Sequence, residues 1–199
     1  VPTSERIGPI VHAGVVEAAV IDVLQEWLPT YLAEAVRQHG TGRIATPKSW
    51  AVASDYQRWP EQGLPAVIVS APGTEGEPRV DGDRMYRADY ELRVTAEIIA
   101  RTGSEARLIG QIYAAAIRVA MMQRRSLGDG MRVTDWRGES NTTLAVEERR
   151  TRFASQNIFT VTVPDLFTER GALDAPTVSD PGDLIEVTDT EIEVVKHAV

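Results

Sequence analysis

The 199-residue chain has no cysteine, only three histidines, and aromatic residues at just 6%. Without cysteine there is no disulfide framework, thiol nucleophile, iron–sulfur cluster or thiolate zinc site. His12, His39 and His197 are too scattered along the sequence to supply a metal-ligand set in their place. Nor does any stretch approach the roughly 20 uninterrupted apolar residues that span a bilayer. The first residues show no charged, apolar and small-residue sections of a signal peptide, so a soluble, unexported protein is the expectation. Apolar residues at 43% and charged residues at 25% are ordinary for a folded soluble domain and exclude a wholly disordered chain.

The net charge is −8, and it is unevenly spread. Residues 164–199 carry nine acids against Arg170 and Lys196, a net −7, which leaves −1 for residues 1–163. The sequence therefore divides into a nearly neutral core domain, 1–163, and an acidic C-terminal arm, 164–199. Such an arm either solvates the protein as a free polyanion or lies on a basic surface of a neighbouring subunit or partner.

Hydropathy patterning predicts the elements. Residues 14–39 read as a helix, with apolar residues in pairs four apart and Gly40 as the stop. Four-residue spacing overshoots a helical turn by about 40° per step, so the stripe winds and its two halves should face different neighbours. Pro29 predicts a kink or break near Trp27–Leu28. Residues 49–56 and 65–70 read as strands. The Pro- and Gly-rich stretch between Ala71 and Arg84 carries no periodicity and reads as an exposed loop.

From Tyr86 to Ile98, apolar and polar residues alternate strictly, the period of a strand with one buried and one wet face. The strand predicted over 85–99, fifteen extended residues, spans about 50 Å, against about 42 Å for a compact sphere of this chain length. Such a strand is expected to protrude and to need cover from another chain, which predicts oligomerisation. Thr102-Gly-Ser-Glu105 has the form of a capping box opening a helix to about Arg125. That helix is apolar on so many sides that it needs more than one neighbour. Strands are predicted at 131–136 and 153–163, the second ended by Pro164. Leu184–Val195 alternates weakly, as a strand formed only on pairing would. The expected fold is α+β: an antiparallel or mixed sheet of about four to five strands, two long helices on one face, and an extended acidic arm.

Chemistry is sparse. There is no glycine-rich phosphate loop and no serine in a nucleophile elbow, and Asp81-Gly-Asp83 lacks the further ligands of a calcium loop. Catalytic, cofactor-binding and metal-binding residues are therefore assigned to none. The basic clusters Arg124-Arg125 and Arg149, Arg150 and Arg152 lack a nucleic-acid-binding motif around them, and a pI near 5 disfavours a duplex-gripping stripe. They read instead as interface ion-pair partners, including for acids of the arm such as Asp180, Asp183 and Glu186. With Tyr86, Tyr90, Leu92 and Val94 of the long strand, they form the candidate subunit and partner interface.

Tyr90-Glu-Leu-Arg-Val-Thr-Ala-Glu-Ile-Ile-Ala, a capped turn, and Ala106-Arg-Leu-Ile-Gly-Gln-Ile-Tyr-Ala-Ala-Ala-Ile-Arg-Val-Ala-Met, followed by a strand pair and an acidic end, resemble neck and tail-completion proteins of long-tailed bacteriophages. The likeness covers about residues 14–165 and is nearest the tail terminator type. It implies a virion protein of the tail or neck, assembled in the host cytoplasm, without catalytic residues or cofactor. It also implies a ring, commonly of six copies, that caps the head-proximal end of the tail tube. The ring would meet the tube protein on one side and a head-completion or connector protein on the other, with DNA passing through its lumen unbound and no membrane involved. The readings from other classes are a different neck or tail component, such as a head-completion protein or tube subunit, and a small α+β enzyme or ligand-binding domain.

Overall fold

The structure is a computed structural model that describes residues 11–39, 42, 44–52, 60–80, 85–147 and 150–168. Two helices, α1 (Ala13–His39) and α2 (Gly103–Gln123), accompany seven strands. The strands are β1 (Ser49–Val52), β2 (Ala66–Ser70), β3 (Thr74–Val80), β4 (Met85–Ala100), β5 (Ser126–Gly128), β6 (Met131–Glu147) and β7 (Arg150–Thr168). They form one mixed sheet in the order β1-β2-β4-β7-β6-β5, with β3 paired to β4 off that path. Only β1 and β2 run parallel. The fold is α+β with more strands than the sequence suggests.

The alternation of β4 does what its period requires. Tyr90, Leu92, Val94, Ala96 and Ile98 point to one face and are buried. Phe153, Phe159, Val161 and Val163 of β7 and Val67 and Val69 of β2 join them in one core. That face is covered by the chain's own helices, which corrects the expectation that another chain shields it. The expected protrusion fails as well, because β7 pairs with β4 from Met85 to Ala100 and β6 continues beside β7. The sheet is long as a whole, so no single strand sticks out of it.

α1 contributes Val16, Val20, Leu24, Leu28 and Leu32, all buried and four residues apart. Each such side chain contributes about 1.5–3 kcal/mol by leaving water. The winding stripe faces two sets of neighbours, as its spacing predicts. Near the helix start, the Glu17 carboxylate accepts from the Ala71 amide at 2.7 Å and the Tyr90 hydroxyl donates to the Val11 carbonyl at 3.1 Å. Toward the other end, the Tyr31 hydroxyl donates to Gln123 of α2 at 2.6 Å and the Arg124 guanidinium stacks 3.5 Å over the Trp27 ring. The helix runs unbroken through Pro29. Gln25, whose carbonyl loses its donor to the proline, is exposed and can be hydrated instead.

α2 opens as a near capping box. The Thr102 hydroxyl accepts from the Glu105 amide at 3.2 Å, but the Glu105 carboxylate reaches one residue further back, to the Arg101 amide at 3.2 Å. Gly110 lets the helix sit directly on the sheet. A Cβ there would lie 2.5 Å from the Phe153 ring.

Three stretches depart from expectation. Residues 74–80 form β3 where a loop is predicted, because β4 supplies a pairing template and a register shift between Glu75 and Arg79, with Gly76 at φ +67°, absorbs the turn-type residues. As an edge strand, β3 also tolerates Pro78. The strand predicted to end at Trp136 continues to Glu147, which pairs with Arg150 of β7. β7 passes through Pro164, opposite Arg87 where the register shifts, and ends at Thr168. The remainder of the arm, from residue 169, lies outside the described residues.

Candidate assembly surfaces

The residues named from sequence as an interface divide into three groups. Leu92 and Val94 are fully buried and Tyr90 nearly so, which makes them core residues. The arginines have work inside the protomer. Arg124 stacks on Trp27, Arg125 donates from Nε to the Met122 carbonyl at 3.2 Å, Arg150 pairs with Glu61, and Arg152 meets Glu97 at 3.0 Å. The side chain of Tyr86, and all of Arg149, Asp180, Asp183 and Glu186, lie outside the described residues. So does Asp81-Gly-Asp83.

Three other surfaces come into view. The first is the outward edge of β6. β5 pairs with β6 only at Arg132 and Met131, and beyond that no strand among the described residues covers the edge as far as Glu147. Three register shifts, between Val133 and Asp135, Trp136 and Gly138, and Thr143 and Ala145, bend this strand. Bulges of this kind blunt an edge against random pairing while leaving it open to a partner of matching shape.

The second surface is apolar. Leu144 and Val146, near the hairpin end of that edge, are 46% and 76% exposed, and Leu108 and Val119 on α2 are 47% and 36% exposed. Val146 pairs with Thr151, and a Cβ on Gly103 at the start of α2 would stand 3.8 Å from the Thr151 hydroxyl, so Val146 lies at the end of the sheet where α2 begins. Arg118, next to Val119, ties α2 to β6, bonding Glu139 at 3.0 Å and lying 5.6 Å over the Trp136 ring.

The third is the sheet face turned away from the helices. It is polar, and its charges neutralise one another locally. Arg137 bonds Glu75 at 2.8 Å and the Thr160 hydroxyl at 2.8 Å, Arg93 meets Glu91 at 2.7 Å, and Arg152 holds Glu97. The Arg93 guanidinium holds the Glu91 carboxyl below its usual range. Threonines fill the ladder between: Thr162 donates to Asp89 at 2.5 Å, and Thr95 accepts from Gln156 at 3.2 Å.

On the helix side, burial pushes the Tyr113 hydroxyl's pKa up, and that hydroxyl donates to the Ala45 carbonyl. Ser155 and Asn157 are buried under α2, where Asn157 Nδ2 donates to the Ala114 carbonyl at 3.2 Å. Among the described residues, no three histidine or acidic side chains gather as a metal site, and no helix is long and apolar enough to cross a membrane.

Sequence could not reveal the β6 surfaces, because Arg137-Gly-Glu-Ser-Asn-Thr-Thr143 is polar on both faces and the bulges erase its period. The only visible cue is the pair Leu144 and Val146, apolar residues without apolar neighbours on the same face.

No protein-family model matches the chain, and no curated protein matches it. Among solved structures it is similar to a chain from the virion of a native gene transfer agent particle, at 18% identity and a TM-score of 0.38. That alignment covers 72% of this chain and 98% of the other.

Proposed function

We propose that this protein is a structural component of a bacteriophage virion, a tail terminator whose copies join through the open β6 edge into a ring. The observation that carries the proposal is that edge together with the exposed Leu144 and Val146 on it. Apolar groups this exposed along an unpaired strand are suited to burial against another subunit. The sheet's two sides are unlike, a long bulged β6 on one and the short β1 with β3 on the other. Contact between the two different sides of successive copies is heterologous, and it closes a ring when the rotation per copy divides a full turn. The resemblance of about residues 14–165 to tail terminators supplies the number six and the position at the head-proximal end of the tail tube, between tube protein and connector. Such a ring assembles in the host cytoplasm and stays in the neck of the virion. The polar sheet face fits a lumen that DNA traverses, since arginines already held by carboxylates have little pull on phosphate.

The same surfaces would serve another neck component, such as a head-completion protein or a tube subunit, and partner identity separates these. The test is Leu144→Asp with Val146→Asp. Both positions are exposed, so folding stability stays within about 1 kcal/mol by denaturant titration, while the assembled species seen by electron microscopy and light scattering is lost. Assembly unchanged in the double variant would refute the role of this edge.

A further inference from the structure

β7 leaves the described structure beside a basic groove. Near its end, Pro164 packs on the β5–β6 turn, its Cγ 3.2 Å from where a Cβ on Gly130 would stand, and Thr162 pairs with Arg132. Thr168 is therefore only about 13 Å of strand beyond that turn. Between the C-terminal end of α2 and the start of β6 opens a cavity of about 450 Å³, lined by Met122, Ser126, Met131 and the two arginines Arg125 and Arg132. Arg93, Arg118, Arg137, Arg150 and Arg152 each hold a glutamate. Among the described residues no carboxylate lies within 4 Å of Arg125 or Arg132.

The chain that continues from Thr168 has the opposite charge. Residues 169–199 carry eight acids against Arg170 and Lys196, a net −6. From Thr168, six residues reach about 20 Å, enough to bring Asp174 back to the groove, with Gly171 on the way to allow the reversal. We propose that the acidic segment folds back onto its own protomer and seats Asp174 and Asp180 at Arg125 and Arg132. The occupant is the same chain because β7 passes the groove's rim at Pro164 and the acidic segment begins only about 13 Å of strand further on. A short tether also gives the acids an effective concentration in the millimolar range, which a neighbour's arm must exceed. Each exposed pair is weak alone, so binding rests on several acids together and is screened by salt. The docking stands apart from ring formation, being a contact within one copy.

A cysteine-free chain makes the test clean. Ser126, exposed and lining the groove, and Thr177, between the two proposed acids, are changed together to cysteine in the full chain. A control pair combines Thr177→Cys with Thr142→Cys on the exposed far end of β6. Under mild oxidation the first pair is expected to close an intrachain disulfide about tenfold faster than the control. That advantage disappears in Arg125→Glu/Arg132→Glu, in Arg132→Glu alone to a lesser degree, and near 1 M salt, where the Debye length is about 3 Å. Circular dichroism of the charge-reversed variants checks that they fold. Equal rates for the two pairs, an advantage that survives charge reversal, or disulfides formed mainly between chains would each overturn the proposal. Because monomer and ring alike report the intrachain bond, its failure is distinct from a failure to assemble, which mass alone reveals.

Discussion

At the scale of single residues, the contact between α2 and the sheet is the least forgiving place in the protein. Gly110 is a poor helix former by intrinsic preference, and alanine in its place would gain about 1 kcal/mol of propensity. The geometry opposes that gain, since the new Cβ would stand 2.5 and 2.6 Å from two ring atoms of buried Phe153. Overpacking of this kind costs about 1–3 kcal/mol, so Gly110→Ala is expected to lower the denaturation midpoint on balance. A raised midpoint would mean that Phe153 moves aside freely. Ser155 presents the opposite case. Its hydroxyl is buried under α2 and has no hydrogen-bond partner among the described residues. Removing an unsatisfied buried hydroxyl relieves a penalty of about 1 kcal/mol or more, so Ser155→Ala is expected to raise the urea midpoint at unchanged slope. A fall would show that the hydroxyl is satisfied.

At the scale of elements, the last turns of α1 carry a testable electrostatic signature. Arg37 and then Gln38 donate to the Glu34 carboxylate, and the Arg37 bond chiefly lowers its pKa from 4.5 to about 2. A carboxylate with a depressed pKa helps the helix end above the unfolded value and stops helping as pH falls toward the folded one. The loss therefore falls between about pH 4.5 and 2. The carboxyl carbon shift of Glu34 should titrate with a midpoint near 2 and move toward 4.5 in Arg37→Ala; an unmoved midpoint would remove Arg37 as the cause. The elements also show which signals sequence carries. β4 and α2 were legible because a strict period of two and a Thr-x-x-Glu cap survive in the folded chain, where burial and hydrogen bonding enforce them. β3 was hidden because its Gly76 and Pro78 are turn residues, tolerated only where β4 provides the pairing. The far half of β6 was hidden because its bulges break alternation and its surroundings are polar. The cover of β4 is hidden for a different reason. Its period shows its length, but β6 and β7 run well past the patterns visible at 131–136 and 153–163, and periodicity does not show that both helices pack on the one apolar face.

At the scale of the whole molecule, the helices and one face of the sheet satisfy each other, leaving the bulged edge with exposed Leu144 and Val146, the exposed Leu108 and Val119 of α2, and the self-neutralised polar face. The ring reading depends on that edge finding a second copy. The arm reading depends only on the basic groove at the opposite end of the β6–β7 hairpin. The two are separable, and loss of one leaves the other standing. The most direct measurement of the ring claim is the mass of the purified full chain in solution, by light scattering and native mass spectrometry from low micromolar concentration upward. The account predicts a closed multiple of the 21.8 kDa protomer that reverts to single copies in Leu144→Asp/Val146→Asp. A sharp monomer across the whole range, with the tail-tube end supplied and still no higher species, would contradict it.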